Sequence, residues 1–275
     1  MRVRLHPSAT VDQTIALLNT LSTNASGAVY PAAAHVADVR EGYVRWAIST
    51  EQQLLSVISR QDVNRIFDNP RHRDLCSMPP GSQMSLLISA EVTAKAAELK
   101  EIADDLIEAR ARMARSPGVP TIVDANVLLQ YHRLDQIKWA SIVGGQARIM
   151  LPLRVIEELD AMKYDPKERL RDVARDLLPW LESLFPGPDA GPVPANGPDG
   201  ATVEVLLADR PRYRPSDADE EILDVYHEVR LLAATAKLVT GDTGMRMRAR
   251  AQGIEACPMP SKPLRRPTTV APTSP

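Results

Sequence analysis

The sequence predicts an α/β protein, a three-layer α/β/α domain on a central parallel sheet, preceded by an all-α N-terminal region. Two observations carry this expectation. From residue 121 onward, short β-branched runs alternate with helical stretches, the pattern of parallel α/β architecture, whereas the first 115 residues contain almost no strand signal. Between them, Ser116, Pro117, Gly118 and Pro120 interrupt the chain sharply, as a boundary does. The expected division is a helical domain at 1–117, an α/β domain at 118–260 and a proline-rich, disordered tail at 261–275.

In the front region, residues 11–21 read as a short helix with Thr10 as its N-cap. A longer helix is expected from Pro31, where proline suits a first turn, toward Phe67. Asp68, Asn69 and Pro70 break it, and Met78, Pro79, Pro80 and Gly81 supply a second break. From Ser82 to Arg115 the chain is strongly helical, with Ile88, Val92, Leu99, Ile102, Leu106, Ala109 and Met113 on one seam that Lys95 interrupts. The seam is too short for a firm coiled coil. It fits a helix packed in its own small bundle or an oligomer contact.

In the second region, a strand at 121–129 leads to a helix at 133–143, and a strand at 146–151 leads to helices at 155–164 and 168–185. Residues 186–200 are so rich in proline and glycine that a mobile surface insertion without packed structure is expected. A strand at 201–207, a basic loop at 210–215, a helix at 219–233, a strand at 237–240, a helix at 243–252 and a last strand at 254–257 complete the domain.

Composition narrows the function classes. A net charge of −2 gives no global pull toward nucleic acid or membrane, although a local basic stripe can still hold a phosphate backbone. The two cysteines, Cys76 and Cys257, are far apart and without zinc-ligand spacing, as expected of isolated thiols in a reducing cytosol. The N-terminus lacks the apolar core of a signal peptide and no apolar run reaches membrane-spanning length, so a cytoplasmic protein with no membrane partner is expected.

Four acids fall where a strand ends or a helix begins: Asp124, Glu158, Asp219 and Asp242. In a sheet covered by helices on both faces, the carboxyl ends of parallel strands form one rim, where ligands bind. Carboxylates gathered there repel one another unless cations lie between them, and hard divalent ions prefer such oxygen ligands. The pattern points to metal-dependent chemistry on a phosphate-bearing substrate. Each acid also has a plainer reading. Asp124 and Asp242 suit turn caps, Asp219 a carboxylate favoured at a helix N-terminus, and Glu158, beside Glu157 and Asp160, a solvated acidic face. The five histidines are scattered and none suits a general base.

The acidic segments resemble those of the PIN-domain ribonucleases over residues 121–258. Val123, Asp124, Ala125, Asn126, Val127 and Leu128 are similar to that family's opening motif. The stretch 151–160, with Glu157, Glu158, Leu159 and Asp160, resembles its second motif, in the branch where Lys163 and a following Ala174 and Arg175 extend the match. Residues 216–223 resemble the third motif, and Thr240, Gly241 and Asp242 with Met245, Arg248 and Ala249 the fourth. The resemblance implies a PIN-like fold and a Mg²⁺ or Mn²⁺ site with Asp124 as central ligand and Glu158, Asp219 and Asp242 completing it. Glu158 is preferred to Glu157 because it directly precedes an apolar residue, as the family's glutamate does. Asp217 is an accessory ligand or only a loop residue, while Asn126 and Thr240 suit groups that orient Asp124 and Asp242.

The implied activity is endonucleolytic hydrolysis of RNA. Two metal ions about 3.5–4 Å apart ready a water and stabilise the leaving oxygen. Arg154, Lys163, Arg175, Arg210, Arg212, Arg214, Arg246 and Arg248 are candidates to meet the backbone, Lys163, Arg175, Arg212 and Arg248 foremost. The helical front region suits an RNA guide, a protein partner or a homodimer contact. Other readings are a toxin ribonuclease paired with an antitoxin, against which the extra front region counts, and a non-catalytic PIN-like binding module.

Overall fold

The computed structural model describes residues 3–6, 8–29, 36–77, 84–185, 187, 191–206 and 217–260. The chain divides into two compact units, Met1–Met113 and Ala114–Pro275. The described part of the first unit is helical: α1 (Val11–Val29), α2 (Val36–Leu54), α3 (Arg60–Phe67), α4 (Pro70–Ser77) and α5 (Met84–Arg115). Thr10 does cap α1. Its hydroxyl accepts the Gln13 N–H at 3.2 Å while the Gln13 side chain accepts the Thr10 N–H at 3.2 Å, a reciprocal capping box.

The single helix expected up to Phe67 is instead two, α2 and α3. α2 stops at Leu54, and Ser59 starts α3 afresh: its hydroxyl accepts the Asp62 N–H at 3.2 Å and donates to Asp62 Oδ2 at 2.9 Å. The N-terminal segment fixes this break. The Ser59 N–H donates to the Arg4 carbonyl at 2.8 Å and the His6 N–H to that of Val57 at 2.9 Å, forming an isolated antiparallel bridge between Leu5 and Ile58. The break at Pro70 is present, as the start of α4, and the break expected at 78–81 lies outside the described residues.

The α5 seam is buried from Ile88 to Ala109, and α5 is tied to α1 by the Ser22 hydroxyl, which donates to the Ala96 carbonyl at 2.8 Å. Lys95, which interrupts the seam, is buried as well. Its ammonium donates to the Ile66 carbonyl in the last turn of α3 and to Glu98 Oε2 at 3.0 Å, so its charge ends one helix while its stem fills the seam.

The second unit holds a six-stranded sheet in the order β3-β4-β2-β1-β5-β6, formed by β1 (Val119–Val123), β2 (Ala147–Pro152), β3 (Val193–Pro194), β4 (Thr202–Leu206), β5 (Lys237–Thr240) and β6 (Ala256–Pro258). All pairings are parallel except the antiparallel β3–β4 edge. Its helices are α6 (Ala125–Gln130), α7 (Ala140–Val143), α8 (Leu153–Met162), α9 (Glu168–Leu184), α10 (Ala218–Leu232) and α11 (Thr243–Ala251). Every residue of β2 is buried, as is almost all of β1 and β5, which is why these strands read as continuous apolar runs. One charged pair interrupts this core: Arg148 on β2 donates to Glu204 on β4 at 2.6 and 3.1 Å, both largely buried. At the entrance to β1, Gly118 has φ +103°, and a Cβ there would lie 3.0 Å from the Gln146 carbonyl oxygen.

Three expectations need correction. The first strand does not continue to residue 129: it ends at Val123, because the Asp124 carboxylate takes the Val127 N–H at 2.9 Å and turns residues 125–130 into α6. The helix expected at 133–143 is a 3-10 turn, Leu134–Gln136, followed by the short α7. Trp139, fully buried, folds back to donate its indole N–H to the Leu134 carbonyl at 2.9 Å, and Gly144 at φ 79° ends α7. The insertion at 186–200 packs over much of its described part. Val193 and Pro194 form the edge strand, where proline costs no ladder bond. Ala195 is fully buried, Asp199 accepts the Ala140 N–H at 3.1 Å, and the Gly200 carbonyl accepts from the Gln146 side chain at 2.6 Å. The basic loop at 210–215 and the tail at 261–275 lie outside the described residues. No described helix is long and apolar enough to cross a membrane, and both cysteines are free thiols.

Candidate metal centre

The parallel strands β1, β2, β4 and β5 run in one direction, so the segments after their carboxyl ends meet on one rim. Asp124 follows β1 and caps α6; Asp242 follows β5 and caps α11. Glu158 lies in the second turn of α8, which begins where β2 ends. Asp219 lies in the first turn of α10, whose N-cap is Asp217.

Asp124 is the deepest of the four, 4% exposed. Its Oδ1 accepts the Val127 N–H, and its Oδ2 accepts the hydroxyl proton of the fully buried Thr240. Thr240 also links Asp124 to Asp242, whose backbone N–H donates to the Thr240 oxygen at 2.9 Å. Asp242 Oδ1 takes the Met245 N–H at 3.0 Å, and its Oδ2 takes the Asn126 amide at 3.4 Å. Asn126 and Thr240 therefore sit where the sequence places orienting groups. Gly241 leaves no room for another residue: a Cβ there would lie 2.6 Å from the Tyr131 ring.

Electrostatics tie the acids together. Burial first, and then the charges of Asp242 and Asp219, raise the Asp124 carboxyl to about 6 against the two hydrogen bonds it accepts. Glu158 is raised by burial, opposed by Arg154, and then raised by Asp219, Asp124 and Glu221. Asp219 is raised by burial, opposed by Arg248, and raised again by Asp217 and Asp242. Asp217 moves the other way, lowered first by the Asp219 N–H it accepts as N-cap and also by its bond to Arg248. Asp217 thus serves the start of α10, while Asp219 belongs to the mutually repelling group.

The chain's own cations contact this group. Arg248 reaches Asp217 and lies 3.1 Å from Asp219. Arg154 lies 3.7 Å from Glu157 and 4.0 Å from both Glu158 and Glu221. Sequence reasoning assigned no role to Glu221 and gave Arg154 only a backbone contact, since their pairing between α8 and α10 appears only in three dimensions. Lys163 is turned onto Asp160 at 2.5 Å, and Arg175 is exposed on α9. Arg210, Arg212 and Arg214 lie outside the described residues.

Among the described residues, no three His, Cys, Asp or Glu side chains converge closely enough to hold an ion as they stand. The donor chemistry nevertheless fits a hard cation. The donors are carboxylate oxygens from four elements, and the raised affinities of Asp124, Glu158 and Asp219 for protons reflect burial and negative charge only partly offset by the two arginines.

A family model described as a PIN domain matches residues 121–259, just over half of the chain. The chain belongs to the PIN-domain family. PIN domains are generally metal-dependent nucleases, and the match spans all four acids of the rim. No curated protein matches the chain. The resemblance seen in the four acidic segments is thus confirmed at the level of the family, and the PIN domain fills the second unit from β1 to the end of β6.

Proposed function

We infer that this PIN-domain chain is a ribonuclease that hydrolyses phosphodiester bonds within an RNA strand, using Mg²⁺ or Mn²⁺. The observation that carries the reading is the set of four carboxylates, Asp124, Glu158, Asp219 and Asp242, delivered by four elements to one rim, where burial and neighbouring negative charge raise the proton affinity of Asp124, Glu158 and Asp219. These four would hold the metal, with Asp124 central and Asp217 supporting Asp219 through the start of α10. A bound divalent ion supplies a nucleophilic water at neutral pH and neutralises charge on the phosphate.

The protein's own groups do the positioning. Thr240 and the Val127 N–H hold the two oxygens of Asp124, and Asn126 and the Met245 N–H hold those of Asp242, which fixes how each carboxylate is presented at the rim. Arg154 balances the glutamates of α8 and α10. Arg248 balances Asp217 and Asp219 in the metal-free chain and would turn to a phosphate once a cation takes over that charge, with Lys163, Arg175 and Arg212 as further backbone contacts. No histidine is required, since a metal-bound water needs no side-chain base.

The test is cleavage of single-stranded RNA in Mn²⁺ by the whole chain and by Asp124→Asn. Cutting by the first and loss of at least about a thousandfold in rate by the second, with unchanged circular dichroism, supports the reading. Equal cleavage by both proteins overturns the assignment of the site.

A further inference from the structure

Alongside the acidic rim runs a groove of about 560 Å³ along one side of α11, lined by Thr243, Arg246, Met247, Arg250, Ile254 and Glu255 among others. The helix sorts its arginines by periodicity. Met245 and Ala249 are buried against the sheet; Arg248 turns to Asp217 and Asp219; Arg246 and Arg250, four residues apart, face the groove. Among the described residues, Glu255 is the only acid lining it. Arg246 is held ready, donating to the Thr243 hydroxyl at 2.8 Å and to the Thr240 carbonyl at 3.4 Å, while Arg250 and Met247 are exposed.

Thr243, in the lining of the groove, directly follows Asp242, the cap of α11. At about 1.5 Å of rise per residue, Arg246 and Arg250 stand about 6 and 12 Å along the helix axis from that cap. An extended single strand advances by a similar distance per nucleotide, so two successive phosphates beyond the cut fall opposite the two guanidiniums. Met247, 69% exposed, lies between them in sequence and offers an apolar surface to a base. Without an aromatic side chain or a buried polar group in its lining, the groove suits a backbone more than a particular base. A cleft of similar volume between α1 and α2 lacks this character: its only charged residues, Glu41 and Arg45, pair with each other at 2.5 Å.

We propose that the Arg246–Arg250 side of α11 is the track that holds single-stranded RNA leaving the acidic rim. The proposal rests on the ribonuclease reading, but its test does not. Binding of a fluorescent twelve-nucleotide uridine RNA is measured by anisotropy in EDTA across a salt series. The proteins are the whole chain, Arg246→Ala/Arg250→Ala and a control of equal charge, Arg112→Ala/Arg115→Ala, altered at two exposed positions of α5. The groove variant is expected to bind about tenfold more weakly, with a log–log salt slope shallower by about 1.4 for two lost phosphate contacts, while the control binds as the parent does. No binding by the parent, equal binding by the groove variant, or an equal loss in the control overturns the proposal. Cleavage in Mn²⁺ is scored separately. A parent that binds through these arginines yet never cuts refutes the nuclease reading and leaves the track standing; a parent that cuts while the groove variant binds normally does the reverse.

Discussion

Replacing the central acid, Asp124→Asn, should stabilise the metal-free protein. In the fold the Asp124 carboxyl titrates at about 6 instead of 3.8. At about 1.36 kcal/mol per pKa unit, keeping it ionised costs the native state about 3 kcal/mol. The sign follows from linkage: with the folded value raised, the stabilising contribution is complete below pH 3.8 and is lost as the pH rises to about 6. Asparagine carries no charge at any pH and is as good an N-cap as aspartate. Its amide oxygen keeps the Val127 bond and its NH₂ can donate to Thr240. Urea denaturation in EDTA, followed by circular dichroism, should therefore find the variant more stable by up to about 3 kcal/mol at pH 7.5, with the gap closing toward pH 4. Added Mn²⁺ should reverse the order, since a ligand at about a thousand times its dissociation constant contributes about 4.1 kcal/mol to the parent alone. A variant less stable than the parent at pH 7.5 in EDTA, or a gap that ignores pH, refutes this reasoning.

Other outcomes follow from the same geometry. Mn²⁺ affinity, measured by calorimetry, should be level above about pH 6 and fall by at least about tenfold per pH unit below it, because protons compete for Asp124 first and for the raised Glu158 and Asp219 as well. Thr240→Val, which removes the hydroxyl shared by Asp124 and Asp242, should weaken Mn²⁺ binding by about 10–100-fold, and Thr240→Ser should restore it. In the first unit, Ser59→Ala should cost about 1 kcal/mol in urea denaturation through loss of the α3 cap. In the sheet, Glu204→Ala should cost about 3–5 kcal/mol by removing the carboxylate that Arg148 meets in the core, whereas Arg148→Met/Glu204→Leu should lie close to the parent.

The strands of the second unit were legible because both faces of β1, β2 and β5 are covered, which forces near-continuous apolar runs. The acids were legible because rim residues follow strand ends, a position that sequence reveals. What failed to show depends on contacts made at a distance. Residues 125–130 carry apolar side chains that suit either a strand or a helix, and only the Asp124 cap decides between them. The edge strand at Val193 exists because β4 offers it a partner. Lys95 read as a flaw in an apolar seam until the end of α3 supplied its acceptor. The pairing of Arg154 with Glu221, and of Arg248 with Asp219, joins different helices, so charge pattern alone could not separate arginines that balance the acids from those that await a substrate.

The capping role of the rim acids has an evolutionary consequence. Asp124 and Asp242 each start a helix with an oxygen that asparagine can equally provide. A single base change in an aspartate codon yields asparagine. Descendants of such a chain can therefore lose the chemistry in one step while keeping, or even improving, the scaffold. Lineages in which the fold persists as a silent platform are an easy outcome of drift.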